Sequence, residues 1–478
     1  MHKKKELAKN TVIIFLGKVS TQFISFFLLP LYTRFLSASS YGTVDLITTY
    51  VSLFVPVITL QQEMATFRYL IDARGSKEKI KNVITTSLFN VFSLLIVFII
   101  IYLIIICLFK INYAYFILAN IIVCIFSNLF LQIARGLGKN THYSIASFIT
   151  GIVTIILNIV FIVLFKFQVE GMLLSAILSN FVCIIYLFFA LKIYKYLSFK
   201  SDKYLRKKML KYSLPLVPNG ISWWVVTASD RTIISTFLGV ASNGIYAVAN
   251  KFPTIINSLF SIFTMSWTES ASLHINDEDR DKFFSDIANT VLRLFSCLCI
   301  GLIACMPFAF PILVDSKFDE AYLYVPIFII GVLCNCIIGI YSAIYIANKM
   351  TKQIATTSIL SAVINIVLNL LLIKIIGLYA ACLSTSIAYF VMMVYRHFDL
   401  KKYVHISYQK RMVVLTLLMF AISFSCYYIN NLYLNIVCLI VVVLYSIIVN
   451  RNVIVGVLEM ILKKNLKKGV VSYEKNNK

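Results

Sequence analysis

The sequence predicts an all-α polytopic membrane protein: about fourteen transmembrane helices, built as two parallel six-helix repeats around a central cavity, plus two C-terminal helices. Three observations predict it. Apolar residues make up 60% of the chain and charged residues 13%, and the apolar runs are far longer than a globular core uses. The lysines and arginines are segregated, with 35 of the 44 falling on the side of the membrane that holds both termini and five on the other. Short strings also recur about 206 residues apart.

Runs of about 20 apolar residues place the spans at 10–34, 41–67, 83–109, 113–134, 143–165, 171–191, 212–238, 244–272, 286–314, 322–347, 354–376, 377–395, 412–429 and 432–450. A missed or invented span would invert the basic-residue bias downstream of it, so the bias supports both the count and cytoplasmic termini. The start, MHKKKELAKN, is basic, but the segment behind it is too long for a cleavable signal and lacks a small-residue cleavage site. The net charge of +24 would point to nucleic acid in a soluble protein; here it follows membrane topology, and no nucleic-acid partner is expected. All eleven cysteines lie in apolar segments and read as small buried hydrophobes.

Eight basic residues fall between Lys192 and Lys211, the longest connector before the tail. They anchor the chain to anionic phospholipids and mark a boundary. The expected organisation is an N-terminal six-helix bundle (1–196), a basic cytoplasmic linker (197–211), a C-terminal six-helix bundle (212–403), two extra transmembrane helices (404–450) and a basic cytoplasmic tail (451–478). The halves look related. Ile156-Leu-Asn158 resembles Val367-Leu-Asn369, Gly171-Met-Leu-Leu-Ser-Ala176 resembles Gly377-Leu-Tyr-Ala-Ala-Cys382, Tyr41-Gly42 opens one span as Gly244 opens another, and Glu63 corresponds to Glu269. Six spans return the chain to its starting side, so the repeat is parallel, an arrangement that places a substrate between the halves.

Eight charged residues lie within spans: Lys18, Asp45, Glu63, Asp230, Arg231, Lys251, Glu269 and Arg293. Seven of them, and five of the eight prolines, fall in spans 1, 2, 7 and 8. Ions are expensive at membrane depth, and carbonyls freed by proline are tolerated only against protein or water. Those four spans should therefore line a hydrated cavity. At 1.5 Å per residue, Lys18 and Arg293 lie roughly 10 Å in from one face, and Arg231 and Lys251 a similar distance from the other. Such a ladder of cations would carry an anion. Alternatively each cation pairs with a carboxylate, Lys18 with Glu63 and Lys251 with Asp230, and ties helices together. Asp45, Glu63, Asp230 and Glu269 fit either pairing or ion coupling. Trp223 and Trp224 fit helix packing or a sugar-stacking platform, and Gln61, Gln62, Asn158, Asn219, Asn365 and Asn369 fit interhelical bonding or glycan contact. No catalytic triad, metal cluster, cofactor motif or nucleotide loop is present, so an enzyme finds no footing.

Several strings, over about residues 8 to 403, resemble a known family: Lys9-Asn-Thr11 with Phe15-Leu-Gly17, Pro30-Leu-Tyr-Thr-Arg34 with Tyr41-Gly42, Arg68-Tyr69, Tyr212-Ser-Leu-Pro215 with Pro218, Ser229-Asp230-Arg231 with Phe237-Leu-Gly239, and Gly244-Ile-Tyr246. The chain resembles the polysaccharide repeat-unit flippases of bacterial capsule and O-antigen pathways, within the multidrug/oligosaccharidyl-lipid/polysaccharide exporter superfamily. The resemblance implies an undecaprenyl-diphosphate-linked oligosaccharide moved to the outer leaflet of the bacterial inner membrane by alternating access, beside a polysaccharide polymerase and glycosyltransferases. The family's cationic cavity maps onto Lys18, Arg231, Lys251 and Arg293. A lipid II flippase, a multidrug or cation antiporter of the same superfamily, and a scaffold for glycan-assembly enzymes are the alternatives.

Overall fold

The computed structural model describes residues 26–198, 202–451 and 455. Lys18, most of the first expected span and the basic tail lie outside them. Among the described residues there are sixteen α-helices and no strand. The first eight are α1 (Leu29–Phe35), α2 (Ala38–Ile58), α3 (Gln62–Ala73), α4 (Lys77–Leu108), α5 (Ala114–Gly136), α6 (Asn140–Asn158, continued by a π-helical stretch), α7 (Val169–Ala190) and α8 (Lys203–Ser213). They are followed by α9 (Leu216–Phe237), α10 (Val240–His274), α11 (Arg280–Leu313), α12 (Val325–Ala347), α13 (Thr351–Ile376), α14 (Leu378–Leu400), α15 (Lys410–Ile429) and α16 (Leu432–Val449).

Eleven helical stretches among the described residues are long and apolar enough to cross a membrane, which makes this a multi-pass membrane protein. The expected spans 7 and 8, α9 and α10, are long enough but diluted by polar residues, including Asp230 and Arg231 in one and Lys251 and Glu269 in the other. Short polar side chains set several starts. Ser37 accepts the Ser40 N–H at 3.1 Å to open α2, Asp202 accepts those of Tyr204 and Leu205 to open α8, and Asn431 opens α16 in the same way, each occupying an otherwise orphaned donor.

Span 2, expected as one helix, is two. After Pro56, whose missing N–H weakens the ladder, Leu60 and Gln61 turn left-handed (φ +50° and +58°) and the chain restarts as α3. Its counterpart α10 runs unbroken through Pro253 for 35 residues.

The chain packs as two compact units. The first comprises residues up to Ser258 with Leu313–Tyr324 and Ser358–Ala388; the second comprises Leu259–Ile312, Val325–Thr357 and Tyr389 onward. In the first, Ile84, Ile121, Ile133 and Leu173 are fully buried between α4, α5 and α7. In the second, Phe260 meets Phe295 edge to face at 5.1 Å, in space that a side chain at Gly339 would fill. Large aliphatic side chains cover the outside of α16, as lipid contact requires. All eleven cysteines are free thiols and seven are buried, in keeping with packing.

Candidate functional site

The site grows from a close approach of α2 and α10. A methyl group on Gly42 would collide with the Val240 carbonyl, and one on Gly244 with the Ala38 carbonyl. Each glycine thus sits four residues beyond the carbonyl that receives the other. The repeat-equivalent positions meet each other reciprocally, as residues beside a pseudo-two-fold axis do. Only glycine allows backbones this near.

One turn along α2, Asp45 lies beside that contact. Its Oδ2 accepts Arg231 Nε at 2.8 Å and Asn243 Nδ2 at 3.4 Å, while Asn243 Nδ2 also reaches the Gly42 carbonyl at 3.0 Å. The Arg231 and Asp45 side chains keep 15% and 17% of their surface exposed, so the pair remains open to water or a ligand. Arg231 also lies over the Tyr246 ring, 5.7 Å from its centre. Lys251, further along α10, is within electrostatic reach of both Asp45 and Arg231. Arg231 thus lies within electrostatic reach of two carboxylates, Asp45 and Asp230, with Lys251 near the first.

Asp230 points elsewhere, as neighbouring positions on a helix do. It is 3% exposed. Its Oδ2 accepts the hydroxyls of Tyr246 (3.0 Å) and Thr385 (2.8 Å), and its Oδ1 accepts Asn369 Nδ2 (2.9 Å). Three neutral donors from α10, α14 and α13 thus converge on a carboxylate of α9. The carboxylate that pairs with Arg231 is Asp45 rather than its chain neighbour Asp230.

Glu63 accepts the Thr59 hydroxyl at 2.8 Å across the break between α2 and α3. Glu269 and Arg293 belong to the second unit, where Arg293 Nη2 donates to the Thr290 hydroxyl at 3.2 Å. Of two further polar centres, the one around Gln62 is among the hydrogen-bonding candidates of the sequence and the one around Arg396 is not. Gln62, fully buried, donates to Ser213 Oγ (2.7 Å) and accepts from Asn90 Nδ2 (3.1 Å), whose Oδ1 accepts Arg206 Nε (3.0 Å). Arg396, 1% exposed in the second unit, donates to Thr357 Oγ1 (2.9 Å) and Ser342 Oγ (2.6 Å). It lies one residue past the expected span 377–395, and α14 continues through it to Leu400.

Comparison with known proteins shows relatives of the fold and the family of the chain. The fold is similar to that of a lipid II flippase, MurJ, in an inward closed conformation, with a TM-score of 0.68, 16% identity, and coverage of 94% of this chain and all of that one. It is also similar to a multidrug resistance MATE family transporter of the MOP superfamily in an inward-facing conformation, with a TM-score of 0.61, 15% identity, and coverage of 80% and 95%. A curated relative, Lsg locus putative protein 1 of Haemophilus influenzae, is 39% identical over 61 residues, which span 13% of this chain and 15% of that protein. The polysaccharide biosynthesis protein family model matches residues 7–268, more than half of the chain, and this chain belongs to that family.

Proposed function

We propose that the chain is a transporter rather than an enzyme: a flippase that carries an undecaprenyl-diphosphate-linked oligosaccharide repeat unit from the cytoplasmic to the outer leaflet of the bacterial inner membrane, for capsule, O-antigen or exopolysaccharide. The observation that carries this reading is the partly exposed Arg231–Asp45 pair with Lys251 in reach. A diphosphate displacing Asp45 would meet two cations already in place and could form charge-assisted hydrogen bonds with them. In the proposed cycle the two six-helix halves, joined by the linker at 197–211, alternate access to a cavity whose other cations are Lys18 and Arg293. Asp45, Glu63, Asp230 and Glu269 are the candidates for ion coupling. The basic linker would rest on anionic phospholipids, with both termini cytoplasmic, and a polymerase and glycosyltransferases would supply and consume the cargo.

The likeness to MurJ favours one second reading, in which the cargo is lipid II, whose headgroup carries the same diphosphate. Depletion of the chain in its host, followed by extraction of lipid-linked saccharides and a leaflet assay, separates the two. A completed repeat unit building up on the cytoplasmic face, with loss of surface polymer, is the expected result. Build-up of lipid II would favour the second reading. An unchanged lipid pool in a cell without another flippase would overturn both.

A further inference from the structure

The face of α9 that carries Arg231 also carries Trp224, seven residues earlier and therefore two turns away on the same side, about 10 Å along the axis. Its indole Nε1 donates to the Thr49 carbonyl of α2 at 2.9 Å, which fixes the ring plane. That ring stacks on Tyr50 with centres 6.0 Å apart and planes 30° apart. Tyr50 in turn stacks on Phe54 at 6.3 Å and 29°, and its hydroxyl is held by Thr232 Oγ1 at 3.1 Å. Three rings, each tilted by about 30° from the next, therefore form a row from Trp224 through Tyr50 to Phe54, which is 41% exposed.

The surroundings of the row do not resemble a lipid-facing surface. Between Tyr41 and Val57, the exposed residues of α2 are Thr48, Ser52 and Phe54, with no exposed aliphatic among them. In contrast α16 exposes Leu, Ile and Val along its length. Exposed hydroxyls and a tilted aromatic row at membrane depth fit a wet path. Core packing alone would have buried the row and placed aliphatics outside.

We infer that Trp224, Tyr50 and Phe54 form a stacking wall for the sugar rings of the cargo while Arg231 and Lys251 hold its diphosphate, an inference that rests on the flippase reading above. A pyranose presents axial C–H bonds on one face and hydroxyls at its rim. The C–H face meets the electron-rich face of an aromatic ring, and the rim hydroxyls meet water and the exposed Thr48 and Ser52. Stacking of this kind tolerates many sugars, because every pyranose has such a face. The wall would thus distinguish glycan-bearing lipid from bare lipid diphosphate without selecting one sugar sequence.

The test uses the full-length chain, solubilised in detergent, and two probes: lipid-linked oligosaccharide extracted from the host and sugar-free undecaprenyl diphosphate. Affinities are measured for the wild type, Trp224→Leu, Tyr50→Leu, and the aromatic-retaining Trp224→Phe and Tyr50→Phe, with melting curves to check folding. The leucine variants should lose about tenfold or more for the oligosaccharide lipid and stay within about threefold for the sugar-free lipid, where tenfold is about 1.4 kcal/mol. The phenylalanine variants should stay close to wild type for both. Equal loss for both probes, or no loss for either, overturns the wall while leaving the flippase reading standing. A wild type that binds neither probe removes the flippase reading and the wall with it.

Discussion

Arg231 and Asp45 are joined by a 2.8 Å ion pair between α9 and α2, although 186 positions separate them in the chain. A pair that only ties helices and a pair that waits for an anion predict different double mutants. Arg231→Gln and Asp45→Asn should each destabilise the solubilised chain by about 1–3 kcal/mol, because each takes the ion-pair partner from a mostly buried charge. The double variant should recover much of that stability. Export of surface glycan, in a host where this chain is the only flippase, should remain down at least tenfold in both Arg231→Gln and the double variant. Export that returned with stability would reduce the pair to a structural tie.

The reciprocal glycine contact gives a second expectation. Gly42→Ala and Gly244→Ala place a methyl group against the Val240 and Ala38 carbonyls respectively. Each should lower stability by about 1–3 kcal/mol through overpacking. One separation of α2 from α10 relieves both collisions, so the double variant should cost clearly less than the sum of the singles. Melting midpoints of the three variants decide it, and strictly additive losses would mean that the two contacts are independent.

The sequence carried the helices well because lipid demands long apolar runs, and these are visible without knowing any contact. It also carried Asp45, Asp230, Arg231 and Lys251 as individual residues, since a charge among apolar residues stands out. What it did not carry is who meets whom. Asp45 reaches Arg231, and Asp230 reaches Thr385 and Asn369, over separations of 139 to 186 positions, and no local pattern encodes such contacts. The repeat held a usable hint, for equivalent glycines are natural candidates for a contact on the pseudo-two-fold axis. The break at Leu60 and Gln61 left no signal of its own. Neither residue is glycine or asparagine, the types that turn left-handed readily, and tertiary packing decided the matter. Arg396 was lost at a boundary, being placed one residue past the expected end of a span that in fact runs on to Leu400.

Asp230 is held by three donors on two oxygens. An asparagine there offers one acceptor oxygen and one amide NH₂, so in either orientation the NH₂ faces a donor. Asp230→Asn should therefore destabilise by about 1–3 kcal/mol despite its matching shape, and Thr385→Val or Asn369→Leu should cost less, about 1 kcal/mol each, because two donors remain. Thermal melting in detergent reads all three. An Asp230→Asn variant as stable as wild type would show that the hydroxyls of Tyr246 and Thr385 turn round to accept.

The broken helix supplies the last expectation. Leu60 and Gln61 hold left-handed backbone, and immediately afterwards Gln62 is tied to Ser213 at the end of α8 and to Asn90 of α4. Leu60→Gly removes the conformational cost of about 1–2 kcal/mol for an L-residue in that region but loosens the unfolded chain by a similar amount, so its stability should stay within about 1 kcal/mol of wild type. Leu60→Val should cost at least about 1 kcal/mol more than the glycine variant, because a β-branched side chain fits that backbone worst. Gln62→Leu should cost about 2–3 kcal/mol, since it leaves the buried Asn90 amide and Ser213 hydroxyl without their partner. If Leu60→Val were as stable as Leu60→Gly, α2 and α3 would be one continuous helix with no left-handed turn between them.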